Sequence, residues 1–209
     1  MKWLWIFSIL LLTPELRAAL DPVELKAKVA AVYMSKSAYC TSPILVFSKS
    51  NVLAYDVFGF PTLGILDNQS REYDESYQCL IIKMSEQYSF RANILEGNCS
   101  MSNSHTANIC TASHTNTAID GSSSSCSAAA DETVYVYLST ASNSNDPDVA
   151  TQPFSPPTAG DTTRGVKLTS PFVVNGNVSG RFIIDATARI NNIGGSCTLS
   201  MPKFSFVKE

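Results

Sequence analysis

The chain has 209 residues, 44% hydrophobic and only 16% charged, with a net charge of −3 at pH 7. That length suits one sizeable all-β domain or two small ones. The mildly acidic balance, with no cluster of Lys and Arg, argues against a nucleic-acid partner, because phosphate binding needs concentrated positive charge.

Charge is well below the roughly 25% usual for soluble domains, so solubility falls to the Ser, Thr and Asn that crowd the middle of the chain. Residues 1–18 read as a secretory signal peptide: Lys2, an apolar run from Trp3 to Leu12, and Leu16-Arg17-Ala18 ending in a small residue. Cleavage there removes Lys2, Glu15 and Arg17 and leaves a net charge of −4. Both tryptophans, Trp3 and Trp5, leave as well, which weakens a carbohydrate-stacking reading. After Leu12 no apolar run approaches the ~20 residues that span a bilayer. The expected address is secreted, periplasmic or cell surface. In an oxidising compartment the six cysteines, Cys40, Cys79, Cys99, Cys110, Cys126 and Cys197, are expected to be disulfides, and fifteen pairings are formally open.

Along the chain, Val23, Leu25, Ala27, Val29, Ala31 and Tyr33 share one parity, with Glu24, Lys26 and Lys28 on the other. Period two over this length predicts a strand from Val23 to Met34 with one wet face. Ile44 to Phe47 and Val52 to Phe58 are short apolar runs bounded by Ser, Pro and Gly and read as strands, with Thr62 to Leu66 as a further candidate. Tyr77 to Phe90 reads as a long strand whose centre, Leu80-Ile81-Ile82, is covered on both faces. From Gly97 to Asp131 periodicity stops, and Cys99, Cys110 and Cys126 suggest a stapled surface loop. Closure entropy favours Cys99 pairing with Cys110 or Cys126, the nearest partners in sequence. Thr133 to Leu138 returns to strand, and residues 139–164 form a second polar loop rich in proline. Gly165 to Val174 leads into Asn175-Gly176, a strong hairpin signal. Val178 to Ile190 follows, with Phe182, Ile184, Ala186, Ala188 and Ile190 inward. The phase flips at Pro202-Lys203, where a bulge or a bend between sheets is expected.

Many short strands and no convincing helix predict an all-β fold: a single antiparallel β-sandwich over residues 19–209, Greek-key, immunoglobulin-like or prealbumin-like, with long polar loops at 97–131 and 139–164. Within Asp74-Glu75-Ser76-Tyr77-Gln78-Cys79, Tyr77 stands two residues before a strand cysteine. This resembles the tyrosine corner of immunoglobulin-like sandwiches. The resemblance implies a structural role for Tyr77, whose phenol would bond back to nearby backbone. It also implies an inward-pointing Cys79, paired across the sandwich with Cys40.

Other constellations point to weaker chemistry. Cys99, His105, Cys110, His114 and Cys126 interleave, but their intervals do not match zinc-finger spacings. Acidic groups at Asp67, Glu72, Asp74 and Glu75, and oxygen donors at Asn143, Asn145, Asp146 and Asp148, do not follow an EF-hand loop. A Ser-His-Asp site would have to use His105 or His114, and no nucleophile elbow, phosphate loop or His-Glu-x-x-His is present. Asn68, Asn98 and Asn177 each begin a glycosylation triplet. No catalytic residue, metal ligand or cofactor is expected. The reading is a secreted or cell-surface structural or binding module without catalytic activity, with a protein or surface ligand as unknown partner. One alternative is a fibre or pilus-type subunit donating an edge strand from Val23 to Tyr33. Another is an extracellular hydrolase using carboxylates.

Overall fold

The computed structural model describes residues 19–48, 55–56, 75–127, 132–144, 152–174 and 180–208. The signal segment, Thr62 to Leu66, Asn68, Asp67, Glu72, Asp74, Asn145, Asp146, Asp148, Asn175-Gly176 and Asn177 lie outside them. Among the described residues every regular element is a β-strand, as the period-two patterning requires.

Two ladders organise the fold. The predicted strand from Val23 is two strands, β1 (Pro22–Ala27) and β2 (Val29–Ser35), separated at Lys28. Strands β3 (Ile44–Ser48), β4 (Tyr55–Asp56) and β5 (Glu75–Tyr77) follow. The long strand read from Tyr77 to Phe90 is likewise divided, into β5, β6 (Cys79–Ser85) and β7 (Gln87–Ala92), with breaks at Gln78 and Glu86. β1 pairs antiparallel with β7, and β2 with β6. Both chains therefore leave one sheet and enter another at facing breaks, where Ser85 N donates to Lys28 O at 2.9 Å. Strands that change sheets at such corners are how β-sandwiches turn. The register shifts between Pro22 and Glu24, and again between Val29 and Ala31. Those irregularities are why simple parity fails: Val23 is 47% exposed although it shares a parity with buried Leu25 and Ala27.

The remaining strands are β8 (His105–Asn108), β9 (Thr115–Thr117), β10 (Ser123–Ser125), β11 (Thr133–Ser139), β12 (Val166–Lys167), β13 (Phe172–Val174), β14 (Gly180–Asp185), β15 (Ile190–Ile193), β16 (Ser196–Leu199) and β17 (Lys203–Lys208). A four-stranded sheet runs β4-β1-β7-β8 and a five-stranded one β12-β11-β6-β2-β3, with paired strands β5–β13, β9–β10, β14–β17 and β15–β16 beside them. Among the described strands the pairings are antiparallel except β11 with β12, which is parallel.

One apolar cluster joins these layers. Leu25 and Phe90 meet it from the four-stranded sheet, Leu80, Ile82, Val136 and Leu138 from the five-stranded one, and Phe172, Phe182 and Phe204 from the C-terminal strands. Phe182 and Phe204 stack with centroids 5.9 Å apart, and Phe172 meets Phe206 edge-on at 5.1 Å, both favourable aromatic geometries. The continuous apolar centre of β6 is covered on both faces: Leu80 and Ile82 enter the main core, while Ile81 enters a second small cluster with Cys40, Cys79 and Tyr137.

Several expectations are corrected. The 97–131 stretch is not a bare excursion: β8 extends the four-stranded sheet, β9 and β10 pair, and Cys99, Ile109 and Cys110 are buried. Low hydrophobicity concealed these strands: Thr117 is the one buried residue among them, and all three residues of β10 are exposed. The 139–164 loop likewise buries Phe154, which donates no charge and fills the core beside Phe204. β13 pairs with β5 and β14 with β17, while the turn expected at Asn175-Gly176 lies outside the described residues. The strand read to Ile190 ends at Asp185, and Ala188 is exposed with φ 54° rather than inward. At Pro202-Lys203 the chain bends between sheets, from β16, which pairs with β15, into β17, which pairs with β14.

Candidate functional site

The best-built feature of the surface is the connection from β2 to β3, residues 36–43. Cys40 in this connection is bonded to Cys79 at the start of β6, with Cα atoms 5.3 Å apart. The bond does not cross the sandwich. Both sulfurs belong to the small cluster on the outer face of the five-stranded sheet, because odd-numbered residues of β6 face away from the main core. Cys40 and Ser42 both hold positive φ, 60° and 49°, a conformation that costs non-glycine residues energy and persists only where the surroundings impose it.

Buried serines supply the rest of that constraint. Ser35, at the end of β2, donates its hydroxyl to Thr41 O and accepts from Ser37 N at 3.1 Å. Ser139, at the end of β11, donates to Ala38 O. Cys40 N closes a turn onto Ser37 O at 3.0 Å. Two strand ends of one sheet, on either side of β6, and a disulfide thus grip one short loop.

A cleft lies on each side of it. One, of about 260 Å³, has a floor of Ile81, Tyr137 and Cys40 and a rim of Tyr39, Pro43, Ile119 and Asp120. The other, also about 260 Å³, is lined by Met34, Ile44, Tyr77 and Lys36. Tyr137 donates its phenol to Thr117 O at 2.7 Å, which docks the β9–β10 turn over the first cleft. Burial pushes this phenol's pKa well above its ordinary value, with the charges of Tyr135 and Asp120 adding to the shift. The group therefore stays a donor. Asp120 accepts from Ser122 N at 2.9 Å and Ser122 Oγ at 2.6 Å, and these bonds hold its carboxyl below the usual range.

The site residues read from sequence are placed as follows. Cys99 is bonded to Cys197, with Cα atoms 5.0 Å apart, and Cys110 to Cys126, at 5.4 Å. The expectation that Cys99 would take Cys110 or Cys126 is wrong, because β16 packs against β8 and brings Cys197 in from far along the chain. Sheet packing overrides the small entropic advantage of a short loop. Tyr77 is buried, and its phenol donates to the Glu75 carboxylate at 2.8 Å. Glu75 in turn pairs with Lys36 on the rim of the second cleft.

The histidines do not come together. His105 Nε2 meets Asn98 O at 3.1 Å. His114 Nδ1 meets Thr111 Oγ1 at 2.9 Å and Ser113 Oγ at 3.3 Å. Hydroxyls on Nδ1 reverse the orientation of a Ser-His-Asp triad, in which Nε2 faces the nucleophile and Nδ1 the acid. Burial also lowers the His114 pKa. Cys99, Cys110 and Cys126 are spent in disulfides, so no thiolate remains for the interleaved Cys/His reading. Asn98, in a glycosylation triplet, donates to Gly195 O. Sequence reasoning missed Ser35, Tyr39, Asp120 and Ser139. Of these, only Tyr39 carried a signal, as an aromatic beside a cysteine just past a strand.

No family model matches the chain, and neither does any curated protein or solved structure.

Proposed function

We propose that this is a secreted or cell-surface binding module without catalytic activity, which presents the 36–43 loop and its flanking clefts to a partner. The observation that carries the reading is the cost of that loop. Two non-glycine residues with positive φ, a disulfide and two buried serine hydroxyls are committed to one exposed connection. Strained backbone held by a rigid scaffold is characteristic of recognition sites. Tyr39, 43% exposed at the loop's crest, is a side chain of the amphipathic, low-entropy type that anchors interfaces. Three disulfides fit an oxidising, extracellular-type environment. Binding is favoured over strand donation because β1 and β2 are each hydrogen-bonded on both edges within their own chain. The test is affinity capture from the native secretome or envelope, followed by titration of the captured partner. Tyr39→Ala should weaken binding at least tenfold, while Leu95→Ala, in an exposed turn beyond β7, should leave it unchanged. Binding insensitive to Tyr39 and lost with Leu95 would place the site elsewhere.

A further inference from the structure

The cleft rimmed by Tyr39 and Asp120 has a chemistry more specific than general stickiness. At about 260 Å³ it falls below the roughly 300–1,000 Å³ of small-molecule sites, so its size suits one long side chain. Its floor, Ile81 with the Cys40–Cys79 bridge, is apolar. Asp120 is the one charged residue in its lining, and among the described residues no basic group is bonded to it. The two bonds from Ser122 both go to Oδ1, which fixes the carboxylate without neutralising it. Tyr39 presents an exposed aromatic ring on the same rim.

An apolar floor, one fixed carboxylate and an aromatic wall complement a cation on an aliphatic stem. We infer that this cleft binds an arginine or lysine side chain of the partner protein. The methylenes lie over Ile81 and the disulfide, the charged head meets Asp120, and Tyr39 contributes a cation–π contact. The inference rests on the reading of this loop as the binding site, and it adds the selecting chemistry. The second cleft cannot share it, because Lys36 stands on its rim.

The test uses the mature protein, isotopically labelled, titrated with N-acetyl-arginine amide, N-acetyl-lysine amide and N-acetyl-leucine amide while backbone amide shifts are followed. The two basic amides should bind with millimolar Kd, at least about tenfold tighter than the leucine amide, with shifts confined to Tyr39, Ile119, Asp120 and Gly121. Asp120→Asn should weaken them about tenfold, and added salt should weaken them further. Tyr39→Ala should weaken them several-fold. Unchanged amide shifts elsewhere will show that each variant is folded. If all three amides shift the cleft equally, the cleft binds side chains without selecting charge; the basic-side-chain inference falls and the binding-site reading stands. If the arginine amide moves no cleft residue while Tyr39→Ala still abolishes partner binding, the inference also falls alone. If neither effect is seen, both fall together.

Discussion

Glu86 sits at the break between β6 and β7 with none of its surface exposed. Asn108 Nδ2 donates to Oε1 at 3.1 Å, while Oε2 has no hydrogen-bond partner. Burial first, and the charge of Glu132 second, raise its pKa from 4.5 to about 7. The folded state therefore holds this proton more tightly than the unfolded chain does. Its ionisation is free of cost below about pH 4.5, costs stability increasingly as pH rises toward 7, and carries the full penalty above that. Glu86→Gln should match the wild type near pH 4.5 and be more stable above pH 7, by an amount on the order of 1–3 kcal/mol. Thermal melts of both proteins across that range check it; a stability difference that does not change with pH would contradict it. Ser139→Ala tests the loop at the same scale. Removing the hydroxyl that serves Ala38 O should cost about 1 kcal/mol and speed hydrogen exchange at Cys40 and Ser42, leaving β14 and β17 untouched.

Among the elements, the disulfides stabilise to different degrees. The chain between Cys99 and Cys197 spans 98 positions, against 39 for Cys40–Cys79 and 16 for Cys110–Cys126. In the chain-entropy model a loop of ~100 residues is worth about 4.7 kcal/mol and one of ~15 about 3. Replacing Cys99 and Cys197 with Ala should thus lower the denaturation midpoint more than replacing Cys110 and Cys126; the reverse order would show that local packing outweighs chain entropy here. Legibility varied by element for physical reasons. Ile44 to Phe47 and Thr133 to Leu138 are readable because apolar and aromatic residues follow one another in the sequence without a break. The corners at Lys28 and Glu86 were not, because a strand that changes sheet keeps its composition while switching its buried side. β8 to β10 were invisible because a short polar strand at a sheet edge, or in a two-stranded sheet of its own, buries little apolar area. The site was the least legible part: Ser35 and Ser139 act through their hydroxyls on a loop that is distant from Ser139 in sequence, and only the fold brings them together.

For the whole molecule, the second face of the five-stranded sheet matters as much as the first. The main core runs through all the layers, whereas the Cys40–Cys79 bond belongs to a separate cluster on the outer face. Its loss should release the 36–43 loop while the sandwich remains folded. That separation allows a direct test of the claim that this loop is the binding site. The measurement is the affinity of the double variant Cys40→Ala with Cys79→Ala for the partner captured by the wild type, taken beside its circular dichroism and unfolding curve. The account predicts a β-rich spectrum and cooperative unfolding at a lowered midpoint, with partner affinity reduced at least tenfold. Full affinity in a folded variant whose loop has been released would contradict it.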